Sequence, residues 1–105
     1  MAERITPEEG VIKLQSGETL FVDVRDPASH QEARIPGALL LNQTNLEDFL
    51  ATTDRQQPLV VYCYHGHSSQ GASDYLAEQG FNAVVSLDGG FEHWRQAHPE
   101  HVDSD

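Results

Sequence analysis

The sequence predicts an α/β fold: one domain over 1–105, built on a parallel sheet with helices on both faces. Two observations carry that expectation. Strand-like and helix-like segments alternate from end to end, and the strand-like runs are short and largely apolar, as strands buried on both faces are. A third observation bounds it. A chain of 105 residues suits one modest core without disulfides or a metal, and no internal repeat, linker or low-complexity stretch divides it.

The first helix starts at Thr6-Pro7-Glu8-Glu9, where threonine caps, proline takes the first position and Glu9 closes a capping box. Val11, Ile12 and Leu14 supply its apolar face, and Gly17 is a natural stop. Leu20-Phe21-Val22-Asp23-Val24 is the first strand-like run. Asp26-Pro27 caps a short helix to about residue 33, and Ile35-Pro36-Gly37-Ala38 turns into Leu39-Leu40-Leu41. Thr44-Asn45-Leu46-Glu47 reads as a second capping box, with Leu46, Phe49 and Leu50 on one helix face. Pro58 ends the next loop, and Leu59-Val60-Val61-Tyr62 is a strand. A helix over 69–79 carries Ala72, Tyr75 and Leu76 and stops at Gly80. Ala83-Val84-Val85-Ser86-Leu87 is a further strand, after which Asp88-Gly89-Gly90 turns into a last helix with Phe91 and Trp94. The ordered core then spans about 5–97, and the polar tail over 98–105 is expected to fray.

Six Lys and Arg against seventeen Asp and Glu give a net charge of −11. No basic patch for nucleic acid or an anionic membrane can be assembled from that balance. No apolar run approaches the roughly 18 residues of a membrane span. Met1-Ala2-Glu3-Arg4-Ile5-Thr6 lacks the basic and apolar regions of a signal peptide, so the expected location is the cytoplasm. The chain has one cysteine and therefore no internal disulfide. Any sulfur–sulfur bond formed on it must be discharged by another molecule.

That cysteine lies in Val60-Val61-Tyr62-Cys63-Tyr64-His65-Gly66-His67-Ser68-Ser69, where a strand hands over to a helix. The free N–H groups and positive end of a helix favour an anion, so a thiol placed there has a lowered pKa and reacts as thiolate. Ligands of open parallel sheets also bind at the carboxyl ends of strands. Cys63 is the candidate nucleophile, and Tyr64, His65, Gly66, His67, Ser68 and Ser69 form the candidate substrate-binding loop. Successive N–H groups curled inward make an anion-binding nest, Gly66 permits the tight curl, and Ser68 and Ser69 suit the helix cap and offer hydroxyl donors.

Blander readings compete at each motif. Free cysteine is often a buried structural residue. Cys63, His65 and His67 have C-x-H-x-H spacing, but zinc takes about four ligands and no second cluster completes the set. Neither a metal nor a cofactor is expected. Asp23 and Arg25 read as a structural ion pair, Phe91 and Trp94 as core, and Gly89-Gly90 as a turn.

Three stretches in order make a resemblance. They are Asp23-Val24-Arg25-Asp26-Pro27, then Cys63-Tyr64-His65-Gly66 followed by Ser68-Ser69, then Asp88-Gly89-Gly90-Phe91-Glu92-His93-Trp94. In these the chain resembles the single-domain rhodaneses, most closely thiosulfate sulfurtransferases of the GlpE type, over about 5–94. Ile35-Pro36-Gly37-Ala38 is a weaker match, with Arg34 where many rhodaneses carry histidine. The resemblance implies five parallel strands and a two-step reaction. The Cys63 thiolate takes the outer sulfur of thiosulfate, sulfite leaves, and an acceptor such as cyanide or reduced thioredoxin removes the sulfur from the persulfide.

One departure from the family has a consequence. Many rhodaneses hold the substrate anion with an arginine or lysine in this loop, and none occurs here between Cys63 and Gly71. Only His65 and His67 could substitute, so thiosulfate affinity is expected to be modest and to improve on mild acidification. Phosphatase or arsenate-reductase chemistry needs an arginine clamp that the loop lacks. A persulfide carrier that does not turn over thiosulfate needs the same thiolate nest and stays open as the alternative function.

Overall fold

The computed structural model describes residues 2–104. Met1 and Asp105, the outermost residues of the expected domain, lie outside the described residues. The chain alternates β1 (Glu3–Ile5), α1 (Pro7–Ser16), β2 (Leu20–Asp23), α2 (Pro27–Glu32), β3 (Leu39–Leu40), α3 (Leu46–Thr52), β4 (Leu59–Tyr62), α4 (Ser68–Glu78), β5 (Val84–Leu87) and α5 (Gly90–Ala97). The strands form one five-stranded sheet in the order β1-β5-β4-β2-β3, every pairing parallel. β4 is central, and the chain leaves its carboxyl end at Cys63.

Successive strand residues point to opposite faces, and here both faces are covered. Phe21, Val60, Tyr62 and Leu87 pack with Phe91 and Trp94, against which Val11 and Leu14 of α1 also lie. Val22, Leu59 and Val61 pack on the other side with Phe49 of α3, Leu76 of α4 and Phe81. Burying each such side chain contributes roughly 1.5–3 kcal/mol. A one-residue slip of β4 would exchange the two sets, so packing specifies the register that aims Cys63.

The first capping box forms as expected. Thr6 Oγ1 accepts from the Glu9 N–H at 3.1 Å, and Glu9 Oε1 accepts from the Thr6 N–H at 3.0 Å. The second does not form. The cap of α3 is Asn45, without a side-chain cap bond. Asn42 Oδ1 accepts from the Thr44 N–H at 2.9 Å, while Asn45 Oδ1 accepts from Asn42 N–H and its amide donates to the Leu40 carbonyl. Asn42 thereby takes the Thr44 N–H that the Glu47 side chain would have accepted from in a capping box.

Two further features go beyond the sequence reading. β1 was not among the sequence-predicted strands; three residues with only Ile5 buried are too short for a readable pattern. The polar tail, expected to fray, makes specific contacts with the domain among its described residues, 98–104. A 3₁₀ turn at Pro99–His101 brings the His101 carbonyl to the Trp94 indole N–H at 2.9 Å. Beyond it, Arg34 and Asp103 exchange two backbone hydrogen bonds of 2.8 Å, and Val102 packs on the core. A fully buried tryptophan needs an acceptor for its N–H, and polar composition conceals that demand.

Candidate active site

The Cys63 sulfur sits at the base of the β4–α4 loop, the residue being 5% exposed. It accepts from the Gly66 N–H at 3.2 Å and the Ser69 N–H at 3.3 Å, and Ser69 Oγ lies 3.4 Å away. Burial pushes the thiol pKa up. Bonds from the Ser69 hydroxyl, the Ser69 N–H, the Gly66 N–H and the His65 N–H outweigh it, and the net direction is down. Gly66 makes the curl at φ +91°, and a Cβ there would stand 2.9 Å from the Gly89 nitrogen. Only glycine fits both the dihedral and the space.

The loop rests on the start of α5. The Phe91 N–H donates to the Cys63 carbonyl at 2.8 Å, and the Glu92 N–H to the Tyr64 carbonyl at 3.0 Å. Two of the free donors at the amino end of α5 are thereby used to hold the loop. Gly90, at φ +61°, lies so close that an added Cβ would be 2.5 Å from the Tyr64 carbonyl carbon. The Gly89-Gly90 turn expected from the sequence is therefore also the floor of the candidate site.

Tyr64 fastens the loop from the other side. Its hydroxyl reaches the Asp26 carboxylate and Ser29 Oγ at the amino end of α2. Asp26 caps that helix through the Ser29 N–H at 3.1 Å. The Tyr64 hydroxyl, with Ser29, holds the Asp26 carboxyl at a pKa of about 2.

The expected ion pair at the end of β2 is present. Arg25 Nη2 lies 2.7 Å from Asp23 Oδ2 and Arg25 Nε 3.0 Å from Oδ1, with the side chains 3% and 0% exposed. The guanidinium also lies 4.3 Å from the centre of the Phe91 ring and 5.7 Å from that of Tyr64. It is committed to this structural role and is not free to clamp an anion.

Of the loop residues proposed from sequence, Gly66 and Ser69 are brought to the sulfur. Tyr64, His65, His67 and Ser68 are exposed around it. Ser68 does not cap α4: it is the first helical residue, His67 holds the cap position, and no side chain bonds there. The Ser69 N–H, one of the free donors at that end of α4, is aimed at the sulfur instead. Sequence reasoning missed Asp26, which it treated only as a helix cap, and Ser86 of β5, whose Oγ lies 2.7 Å from Ser69 Oγ. A serine in an apolar run was the one available signal for Ser86.

The rhodanese-like domain family matches residues 6–97. The chain belongs to the rhodanese family. It is 48% identical over 103 residues to thiosulfate sulfurtransferase GlpE of Stutzerimonas stutzeri strain A1501, covering 98% of this chain and 94% of that one. A rhodanese-like domain protein of Staphylococcus aureus superposes with a TM-score of 0.81 at 25% identity, covering 98% of both chains. A Rhodopseudomonas palustris CGA009 protein, described as of unknown function and a possible tyrosine phosphatase, gives a TM-score of 0.77 at 26% identity, over 91% of this rhodanese and 81% of that protein. In the present rhodanese the sixth residue after Cys63 is Ser69, and no lysine or arginine follows until Arg95. Among the described residues, no helix is long and apolar enough to cross a membrane.

Proposed function

We propose that this rhodanese is a thiosulfate sulfurtransferase that works through a persulfide on Cys63. The observation that carries the reading is the convergence of two backbone N–H groups and one hydroxyl on a lone, largely buried sulfur. The name of the S. stutzeri relative supports the same substrate. An ordinary cysteine is only a few per cent ionised at pH 7, so fixed donors that favour the thiolate act directly on rate.

In the first step the Cys63 thiolate attacks the outer sulfur of thiosulfate. The new bond is between Cys63 Sγ and that sulfur, and the sulfur–sulfur bond of thiosulfate breaks. Sulfite leaves with the bonding pair. The persulfide anion inherits the Gly66 and Ser69 donors, and Tyr64, His65, His67 and Ser68 line the approach. In the second step an acceptor nucleophile attacks the terminal sulfur and regenerates the thiolate. Cyanide carries it off as thiocyanate. A dithiol such as reduced thioredoxin carries it as its own persulfide, which its second thiol displaces as hydrosulfide while forming a disulfide. Such an acceptor, and a thiol kept free, suit the reducing cytoplasm.

The test is intact mass after incubation with thiosulfate, followed by sulfite release with cyanide or a dithiol. Wild type should gain one sulfur atom and release sulfite; Cys63→Ser should do neither while keeping its fold. Loading of Cys63 by a cysteine desulfurase, without sulfite release from thiosulfate, would replace the enzyme by a persulfide carrier. Sulfur gained by Cys63→Ser would end both.

A further inference from the structure

Behind the sulfur and the Ser69 hydroxyl stands a second hydroxyl, that of Ser86, which the reaction above does not use. Ser69 Oγ lies 3.4 Å from Cys63 Sγ and 2.7 Å from Ser86 Oγ, and Ser69 and Ser86 are 0% and 1% exposed. Each hydroxyl has a single proton. When the sulfur is a neutral thiol, its S–H points at Ser69 Oγ, and Ser69 is free to donate to Ser86. When the sulfur is a thiolate it has no proton to give. Ser69 must then donate to sulfur, and its bond to Ser86 survives only if Ser86 donates. Ionisation therefore has one consistent arrangement: Ser86 to Ser69 to sulfur. Protons in such a chain polarise one another, which strengthens the terminal bond.

We propose that Ser86 is a positioning residue for sulfur transfer, donating to Ser69 Oγ so that the Ser69 proton is committed to the anionic sulfur of Cys63. The inference rests on the reading of Cys63 as the reacting thiolate. It places part of the site on β5, 17 residues from Ser69 in sequence. β5 is the neighbour of β4, Val61 pairing with Ser86, so one sheet register sets both ends of the chain of hydroxyls. Ser73, one turn along α4 from Ser69, shows that burial alone does not create this arrangement. It is equally buried, and its hydroxyl has no hydrogen-bond partner among the described residues.

The experiment is the pH dependence of Cys63 alkylation by iodoacetamide, with thermal unfolding as the check on fold. Removing the Ser86 hydroxyl in Ser86→Ala should raise the titration midpoint and slow alkylation below it by about three- to tenfold. Ser73→Ala should titrate as wild type. Ser86→Thr, which keeps the hydroxyl, should stay near wild type, and its isostere Ser86→Val should behave as Ser86→Ala; this pair decides the matter if the alanine variant does not fold. His65, His67, Tyr62, Asp23 and Arg25 are unaltered in all four variants. Equal midpoints for Ser86→Ala and wild type, or for the threonine and valine variants, would overturn the proposal. Alkylation reports the thiolate whether or not sulfur is transferred, so this result and the thiosulfate mass test fail independently.

Discussion

Asp23 carries two neighbours at once, Arg25 and the His30 ring at 2.9 Å. Burial raises its pKa, and the hydrogen bonds from Arg25, helped by His30, overcome this and hold it low. Asp23→Ala strands a guanidinium whose side chain is 3% exposed, and a stranded buried charge costs about 3–5 kcal/mol. Urea unfolding at neutral pH measures it. A carboxyl held low contributes its full stability above its unfolded pKa, about 3.9, and loses it as pH falls through the folded value. The stability gap between wild type and variant should therefore narrow below about pH 4. Asp26 obeys the same sign. Its carboxyl sits at about 2 instead of 3.8, chiefly through the Tyr64 hydroxyl. In Tyr64→Phe its midpoint, followed by carboxyl-carbon NMR, should move back toward 3.8. An unchanged midpoint would mean that Tyr64 does not tether the loop to α2.

At the scale of elements, the contact that sets the site is the amino end of α5 beneath the β4–α4 loop. Gly90→Ala meets two obstacles. A non-glycine residue in the left-handed region costs about 1–2 kcal/mol. The new Cβ would also stand 2.5 Å from the Tyr64 carbonyl, a backbone group that can yield only by moving the loop. Sulfite release should fall at least about tenfold, as misplaced reacting groups require, while far-UV circular dichroism keeps its α/β form. Gly17→Ala is the control. At φ +74° it carries similar strain but meets nothing within 4 Å, so it should lose stability and not activity.

For the whole molecule, the C-terminal segment closes the face on which α1 and α5 lie. Trp94 is 0% exposed, with its N–H on the His101 carbonyl and Phe21 6.0 Å away ring to ring. Deleting residues 98–105 removes that acceptor and uncovers the indole. A loss of about 2–4 kcal/mol in urea unfolding should follow, with a red shift of tryptophan emission. A neutral truncation would restore the picture of a frayed tail.

Most strands, the start of α1 and the position of Cys63 were legible in the sequence because each depends on residues within a turn or two. An apolar run states its own burial, Thr6-Pro7-Glu8-Glu9 states its own cap, and a cysteine between a strand and a helix start meets unused N–H groups whatever the rest of the chain does. Only the tertiary structure decided what stands around that sulfur. Asp26 and Tyr64 are 38 residues apart, and Ser69 and Ser86 are 17 apart. They meet because β2, β4 and β5 lie side by side in one register. The tail and Trp94 likewise meet through the packing of a whole face. Local hydrogen bonding and hydrophobic pattern are properties of a segment. Which donor faces which acceptor across the sheet is settled by burying both faces at once, and that condition belongs to no single segment.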